Sequence, residues 1–360
     1  MDIKGFFDKY VSNTLIGVGN QHFFNSEGEK TAYAFYKVFK SGSFGYSFLF
    51  SNATDSTCGE GNFCHANISG KPWNLLGMEV FVSDTAHPST AFRQRQTILF
   101  CGKAQKRVEP GEWFYSDETV LSVKENEYLG LKITFCGEQL PCMSSNLIPS
   151  FVENNGKFVS CDQLPLPSMV GCLRKPKKRL VFWGDSITQG CGTEENSYSH
   201  YAAVAAKLLG NEYSVWNIGI GWARAYDAAS DGYWMQKALQ SDVAFVCFGV
   251  NDICGGRTPE QVLEDLNTIT EKLKTHGTSV VLQTIPPFSI GGEIGKKWHE
   301  INQAILRGDV KSADYVFDNR EILGIGENFA EAKYNPHPNG QGCKVWGQAL
   351  YEFVMKNKIL

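Results

Sequence analysis

The sequence contains no apolar run near the roughly 20 residues that a membrane-spanning helix needs. Its formal net charge is only −4, so it has no broad positive field to attract nucleic acid or an anionic membrane surface. The nucleotide-binding pattern Gly-x-x-x-x-Gly-Lys-Ser/Thr is also missing. We therefore predict no nucleic-acid or membrane partner and no cofactor. Homo-oligomerisation stays open.

The first ten residues lack the long apolar core and the small-residue cleavage site of a secretory signal. The eleven cysteines are an odd number, and the Cys-x5-Cys spacings at Cys58/Cys64 and Cys136/Cys142 are wider than those of common zinc sites. These features favour a cytoplasmic protein with reduced thiols and without a bound metal.

A chain of 360 residues exceeds the usual span of one hydrophobic core, so two domains are expected. Short segments rich in aromatic and β-branched residues, separated by turn residues, fill the first part. They lie at 32–39, 46–50, 78–82, 97–100, 120–123 and 129–135. This pattern predicts an N-terminal β-sandwich domain, jelly-roll-like, over residues 1–145.

Residues 146–178 have little periodicity and contain four prolines: Pro149, Pro165, Pro167 and Pro176. We interpret this segment as a connector that lies against both domains. From residue 179 onwards, strand and helix patterns alternate to the end of the chain. Strands are predicted near 180–183, 213–218, 242–248, 280–285 and 315–317, and one helix should begin after Thr258, with Pro259 at its first position. The class is α/β: a parallel sheet with helices on both faces, over residues 179–360.

Four short polar segments fall in the loops of this second half. They are Gly184-Asp-Ser-Ile-Thr188, Asn217-Ile-Gly219, Gly249-Val-Asn-Asp252 and His337-Pro-Asn-Gly340. In a parallel sheet, ligands bind beyond the carboxyl ends of the strands. In this order and at these positions, the segments resemble the sequence blocks of the SGNH/GDSL hydrolases. The resemblance covers about half of the chain and implies a flavodoxin-like sheet and serine hydrolase chemistry.

Ser186 and His337 are the predicted catalytic residues. A serine hydroxyl is a poor nucleophile at neutral pH and needs a base within hydrogen-bond reach, and histidine suits that task. For Ser186 the alternative is a helix N-cap, which also favours serine. For His337 the alternative is an ordinary surface loop.

The resemblance also implies an oxyanion hole formed by the backbone N–H groups of Ser186 and Gly219 and by the Asn251 side chain. A simple turn at Gly219 and an Asx-turn at Asn251 are the alternatives. Asp185 and Asp252 are expected to brace the catalytic loops by accepting backbone N–H bonds.

One position departs from the family pattern. Family members commonly carry an aspartate three residues before the histidine, and here that position is Tyr334. A phenol cannot supply a carboxylate's charge to an imidazolium. A backbone carbonyl, giving a Ser-His dyad, or a carboxylate such as Asp318 or Glu331 could orient His337 instead.

A β-sandwich followed by an SGNH domain resembles carbohydrate esterase family 2, which implies O-acetyl esters of carbohydrates as substrates. Trp222, Trp234 and Arg224 are the predicted sugar-binding residues, with core packing and a surface salt bridge as the alternatives. A lipase or thioesterase, an acyltransferase and a non-catalytic carbohydrate-binding protein also remain open as functions.

Overall fold

The computed structural model describes residues 3–16, 19–56, 58–59, 62–63, 66–144, 147–288, 291–324 and 337–360. The first half consists of a short helix, α1 (Ile3–Lys9), followed by β-strands. These strands are β1 (Tyr10–Ser12), β2 (Asn20–Lys37), β3 (Gly42–Ser51), β4 (Cys58–Gly59), β5 (Asn62–Phe63), β6 (Trp73–Ser83), β7 (Arg93–Thr97), β8 (Lys106–Val108), β9 (Trp113–Tyr115), β10 (Thr119–Val123), β11 (Tyr128–Ser144), β12 (Ser150–Asn154), β13 (Lys157–Ser160), β14 (Gln163–Leu164) and β15 (Met169–Leu173).

Two antiparallel sheets make up most of this half. One has the order β1-β15-β3-β10, with β9 beside β3. The other has the order β13-β12-β2-β11-β6-β7, with β14 on β11 and β8 on β6. Aromatic side chains of the two sheets meet: the rings of Trp73 and Phe114 lie 6.0 Å apart, and Phe114 stacks on Phe50. The predicted β-rich first half is confirmed, and its jelly-roll-like connectivity stays a prediction.

The segment predicted as a connector, 146–178, contains four strands, β12 to β15. Strand β12 pairs with β2, and β15 pairs with both β1 and β3, so the segment contributes to both sheets. The sequence pattern did not reveal these strands because strands this short carry little periodicity, and the partners of β12 in β2 and of β15 in β1 and β3 lie more than 100 residues away. Pro149 and Pro165 lie next to strand ends, where a missing N–H costs no ladder bond. The domain boundaries themselves stay predictions.

The second half has a five-stranded parallel sheet in the order β17-β16-β18-β19-β20, which confirms the α/β class. Its strands are β16 (Arg179–Gly184), β17 (Ser214–Asn217), β18 (Val243–Cys247), β19 (Ser279–Gln283) and β20 (Tyr315–Phe317). Its helices are α2 (Ser186–Gln189), α3 (Tyr201–Leu209), α4 (Ala225–Ala229), α5 (Tyr233–Ala238), α6 (Val250–Cys254), α7 (Pro259–Thr275), α8 (Gly292–Arg307), α9 (Arg320–Leu323) and α10 (Gly340–Lys356). Written by order of appearance, this is 2-1-3-4-5, the flavodoxin-like order.

Local signals and packing explain these elements. Thr258 caps α7 in a capping box with Gln261, as the sequence predicts. The central strand β18 is buried along its whole length, which is the pattern of a parallel strand covered on both faces. Across the described ranges, no helix combines the length and the apolar character required to cross a bilayer.

A buried ion pair joins the two halves. Lys237 of α5 donates to Asp55 at 2.5 Å, and both side chains are fully buried. Ser168 lies 3.2 Å from the same ammonium group, and the Asn20 backbone N–H donates to Asp55. Burial lowers the pKa of Lys237, although Asp55 opposes that shift. An ion pair with this much burial depends on both partners being present.

We predict that Lys237→Met lowers the free energy of unfolding by about 3–5 kcal/mol, because it leaves the Asp55 carboxylate buried without its cation. Urea denaturation would measure this loss, and the double variant Asp55→Leu/Lys237→Met should recover most of it. Lys40→Met is the matched control, since the Lys40–Glu212 pair also joins the halves but is partly exposed. Its cost should stay below about 1 kcal/mol. Equal losses in both single variants would contradict the prediction.

Candidate active site

Ser186 lies at the carboxyl end of β16, as the first residue of α2. Asp185 caps this helix by accepting a hydrogen bond from the Ile187 N–H at 2.9 Å. The N-cap is therefore Asp185, and the alternative interpretation of Ser186 as a capping residue is wrong. The Ser186 hydroxyl is left to project from a rigid turn at the edge of the sheet, half-buried.

His337 lies just before α10, whose N-terminus is capped by the Asn339 side chain. The His337 Nε2 is 2.9 Å from the Ser186 Oγ, across 151 residues of sequence. The structure thus brings together the two residues that the sequence predicts as nucleophile and base. With its proton on Nδ1, the imidazole can accept the serine hydrogen at Nε2.

In a catalytic triad, a carboxylate accepts a hydrogen bond from the second ring nitrogen of the histidine, which is Nδ1 of His337 here. Tyr334 and Glu331 lie outside the described residues. Asp318 instead accepts two hydrogen bonds from the Arg320 guanidinium, at 2.8 and 2.9 Å, one from the Arg320 backbone N–H at 3.1 Å, and one from Thr284. Within the described ranges, no carboxylate lies within ion-pair distance of His337. Burial lowers the pKa of the His337 imidazole below its ordinary value of about 6.5.

Asn251 and Gly219, the other predicted oxyanion donors, lie in different surroundings. Asn251 lines the cavity beside Ser186, and one of its amide hydrogens binds the Ala223 carbonyl at 3.0 Å. The second amide hydrogen remains available to a ligand. The Gly219 N–H, however, donates to Asn217 Oδ1 at 2.9 Å, and an added Cβ would clash with the backbone N of Gln189. The close packing of Gly219 against the helix that begins with Ser186 is sufficient to explain why this position is a glycine.

The next two residues of the same loop, Gly221 and Trp222, do line the cavity. Trp222 has a φ of +63°, which is uncommon for a bulky residue, and 52% of its surface is exposed. Among the described residues, no acceptor binds the N–H of Gly221 or of Trp222. These groups were missed by the sequence analysis, although the Gly219-x-Gly221 repeat was a visible signal.

Asp185 and Asp252 have the supporting geometry that the sequence predicts. Asp252 accepts the backbone N–H groups of Ala225 and Tyr226 at 2.9 and 3.3 Å, so it holds the start of α4. Both carboxyls are buried. Burial raises the pKa of Asp185 to about 7 and that of Asp252 to about 6, although backbone N–H bonds oppose both shifts.

Of the three predicted sugar-binding residues, only Trp222 lies at the cavity. Trp234 is 2% exposed, donates its indole N–H to the Ile218 carbonyl, and packs edge-on against Trp183. The prediction that Trp234 binds sugar was wrong, because α5 directs the indole into the hydrophobic core. Arg224 forms a double hydrogen bond with Asp227, at 2.8 and 2.9 Å, and is not among the residues that line the cavity. These contacts of Arg224 match the alternative interpretation, a salt bridge.

The cavity at Ser186 and His337 has a volume of about 470 Å³, and both halves of the chain line it. The first half contributes Gln21, His22, Ser144 and Asp162. These four residues were not predicted from the sequence, because a β-strand pattern does not indicate which distant loop the strand will face. Gln189 was not predicted either, although it lies three positions after the nucleophile.

The profile of the GDSL-like Lipase/Acylhydrolase family matches residues 182–345, somewhat less than half of the chain, so this segment is similar to that family. No curated protein matches the sequence significantly. The solved structures below are all under 20% identical.

A family two carbohydrate esterase from Clostridium thermocellum, solved with cellohexaose, is 14% identical, with 97% of this chain and 99% of that chain covered and a TM-score of 0.42. A psychrotrophic esterase from Pseudoalteromonas sp. is 12% identical (51% and 99% covered, TM-score 0.41). A lipolytic G-D-S-L protein from Veillonella parvula is 18% identical (49% and 98% covered, TM-score 0.39).

We predict that the His337 imidazole titrates below pH 6.5, because its burial disfavours the charged form and no described carboxylate offsets that effect. Titration of the ring nitrogens by NMR would measure the pKa, with His337→Asn to assign the signal. A pKa above 6.5 would contradict the prediction and would indicate a carboxylate close to Nδ1.

Proposed function

We propose that the chain is a serine esterase that hydrolyses small acyl esters, O-acetyl esters of carbohydrates above all, through a Ser186–His337 mechanism. The observation that carries this proposal is the 2.9 Å contact between the Ser186 Oγ and the His337 Nε2, two residues that line the same cavity. The match of residues 182–345 to the GDSL-like Lipase/Acylhydrolase family supports hydrolase chemistry at these residues.

In the first step, the Ser186 Oγ attacks the ester carbonyl carbon while His337 Nε2 takes the serine proton. The negative charge on the carbonyl oxygen is met by hydrogen-bond donors: the Ser186 N–H, the second Asn251 amide hydrogen, and the N–H of Gly221 or Trp222 in place of Gly219. When the tetrahedral intermediate collapses, His337 returns the proton to the leaving alcohol. Water then hydrolyses the acyl-Ser186 ester by the same steps.

A base with a lowered pKa is neutral at pH 7 and therefore ready to accept the serine proton. The cost of this arrangement is a weaker stabilisation of the imidazolium that forms. Loss of the triad acid in a well-studied serine protease lowers turnover by about 10⁴. We propose a Ser-His dyad here, in which the geometry of the serine–histidine contact and the oxyanion donors carry the catalysis.

Two features of the cavity lining support a sugar ester as the substrate. Trp222 lines the cavity and is half exposed, so its indole is suited to stacking on a sugar ring. His22, Ser144 and Asp162 of the first half also line the cavity, and their polar atoms are suited to binding hydroxyl groups. We propose acetylated oligosaccharides in the cytoplasm as the substrates.

The test is acetate release from acetylated xylo- and manno-oligosaccharides, beside a series of aryl esters of increasing acyl length. Ser186→Ala and His337→Ala should each lower kcat by roughly 10³-fold or more, because each removes a group that acts in the transition state. Ser197→Ala and His276→Ala are the matched controls, since both residues lie outside the cavity, and both should retain full activity.

Preference for acetyl groups on sugars would support the proposed substrate, and preference for long acyl chains would redirect the assignment to a lipase or thioesterase. Product that forms only with an added alcohol acceptor would indicate an acyltransferase. Sugar binding without release of any acyl group, unchanged by Ser186→Ala, would overturn the esterase in favour of a binding protein.

A further inference from the structure

Gln21, near the start of β2, reaches from the first half of the chain into the catalytic loop. Its side chain is 4% exposed, and its Nε2 donates to the Gly221 carbonyl at 2.8 Å, across 200 residues of sequence. Gln21 also lines the cavity that contains Ser186. Gln21 thus makes a buried hydrogen bond between the two halves of the chain, at the proposed catalytic centre.

A second glutamine makes the reciprocal contact. Gln189, in the helix that begins with Ser186, donates its Nε2 to the Ser144 carbonyl of the first half at 2.6 Å. Gly221 lies between the two amides: a Cβ built on it would be 3.2 Å from both Gln21 Nε2 and Gln189 Oε1. Gly221 is therefore bonded to one amide and closely packed against the other, and a larger residue at 221 would displace one of the two amides.

The peptide that follows Gly221 transmits this contact to the cavity. In a planar trans peptide, the carbonyl of one residue and the N–H of the next point in opposite directions. Fixing the Gly221 oxygen against Gln21 therefore also fixes the direction of the Trp222 N–H. Trp222 adopts a left-handed conformation that a bulky residue rarely takes, and such a conformation persists only where its surroundings hold it.

We propose that Gln21 is a positioning residue for ester hydrolysis: through the Gly221 carbonyl it sets the Trp222 backbone N–H as an oxyanion donor. The first half of the chain then contributes to the chemical step itself. This inference rests on the proposed esterase function, and it concerns one part of that mechanism.

The experiment compares kcat and KM of the full chain and its variants on a small aryl acetate, which has no sugar to contact the indole. Gln21→Met keeps the side-chain length and removes the donor. We expect kcat to fall roughly 10- to 100-fold, somewhat less than the loss of a whole oxyanion donor, with KM changed less than about threefold. The matched control is Ser56→Ala, which removes another buried hydrogen bond between the halves, to Asp227, outside the cavity. It should keep the kcat of the unaltered chain.

A second variant, Gln21→Glu, gives a readout that a purely structural role would not change. A protonated carboxyl group can donate to the Gly221 carbonyl, whereas a carboxylate repels it. Burial raises the pKa of such a group. The kcat of Gln21→Glu, relative to the unaltered chain at the same pH, should therefore rise as the pH falls from 8 to 6. Thermal melting of each variant confirms that it is folded at the assay temperature.

The outcomes separate the two proposals. An active unaltered chain whose folded Gln21→Met variant keeps its kcat would overturn the positioning role alone. So would an equal loss of kcat in Ser56→Ala, or a kcat ratio for Gln21→Glu that does not change with pH. No turnover of any acyl donor by the unaltered chain would overturn the esterase, and the positioning role with it.

Discussion

The arrangement of the site depends on one constraint, the parallel direction of β16 to β20. Parallel strands end at the same edge of the sheet, so loops that are far apart in sequence meet there. Ser186 follows β16, the Gly219–Trp222 segment follows β17, and Asn251 follows β18. The histidine comes from the loop before α10 and completes the group at 2.9 Å from Ser186.

The two halves of the chain act as one unit around this edge. The fully buried Lys237–Asp55 pair fixes α5 against the first half, and Ser56 binds Asp227 in the same region. Gln21 and Gln189 make the corresponding contacts at the cavity itself. Contacts from the first half therefore help to hold the loop between β17 and α5, and residues of both halves line the cavity.

Burial is the common cause of the electrostatic character of the site. It lowers the pKa of His337, and it raises that of Asp185 to about 7 and that of Asp252 to about 6. Each shift favours the neutral form of the group. The site therefore has few fixed charges and several oriented hydrogen-bond donors. In such an environment of low polarity, neutral N–H groups interact strongly with a developing oxyanion. The same burial explains why both aspartates are satisfied by backbone N–H bonds.

The sequence by itself determined the class of the second half, its strands, and the pairing of Ser186 with His337, because short motifs at strand ends have a position that the strand order fixes. The tertiary structure decided three further features: the strands within 146–178, the burial of Trp234, and the hydrogen bond that occupies the Gly219 N–H. Each of these depends on which surfaces pack together, and local sequence patterns do not encode such packing. Gln21 illustrates the reason most directly: its partner Gly221 is 200 residues away, and only the packing of the two halves makes them neighbours.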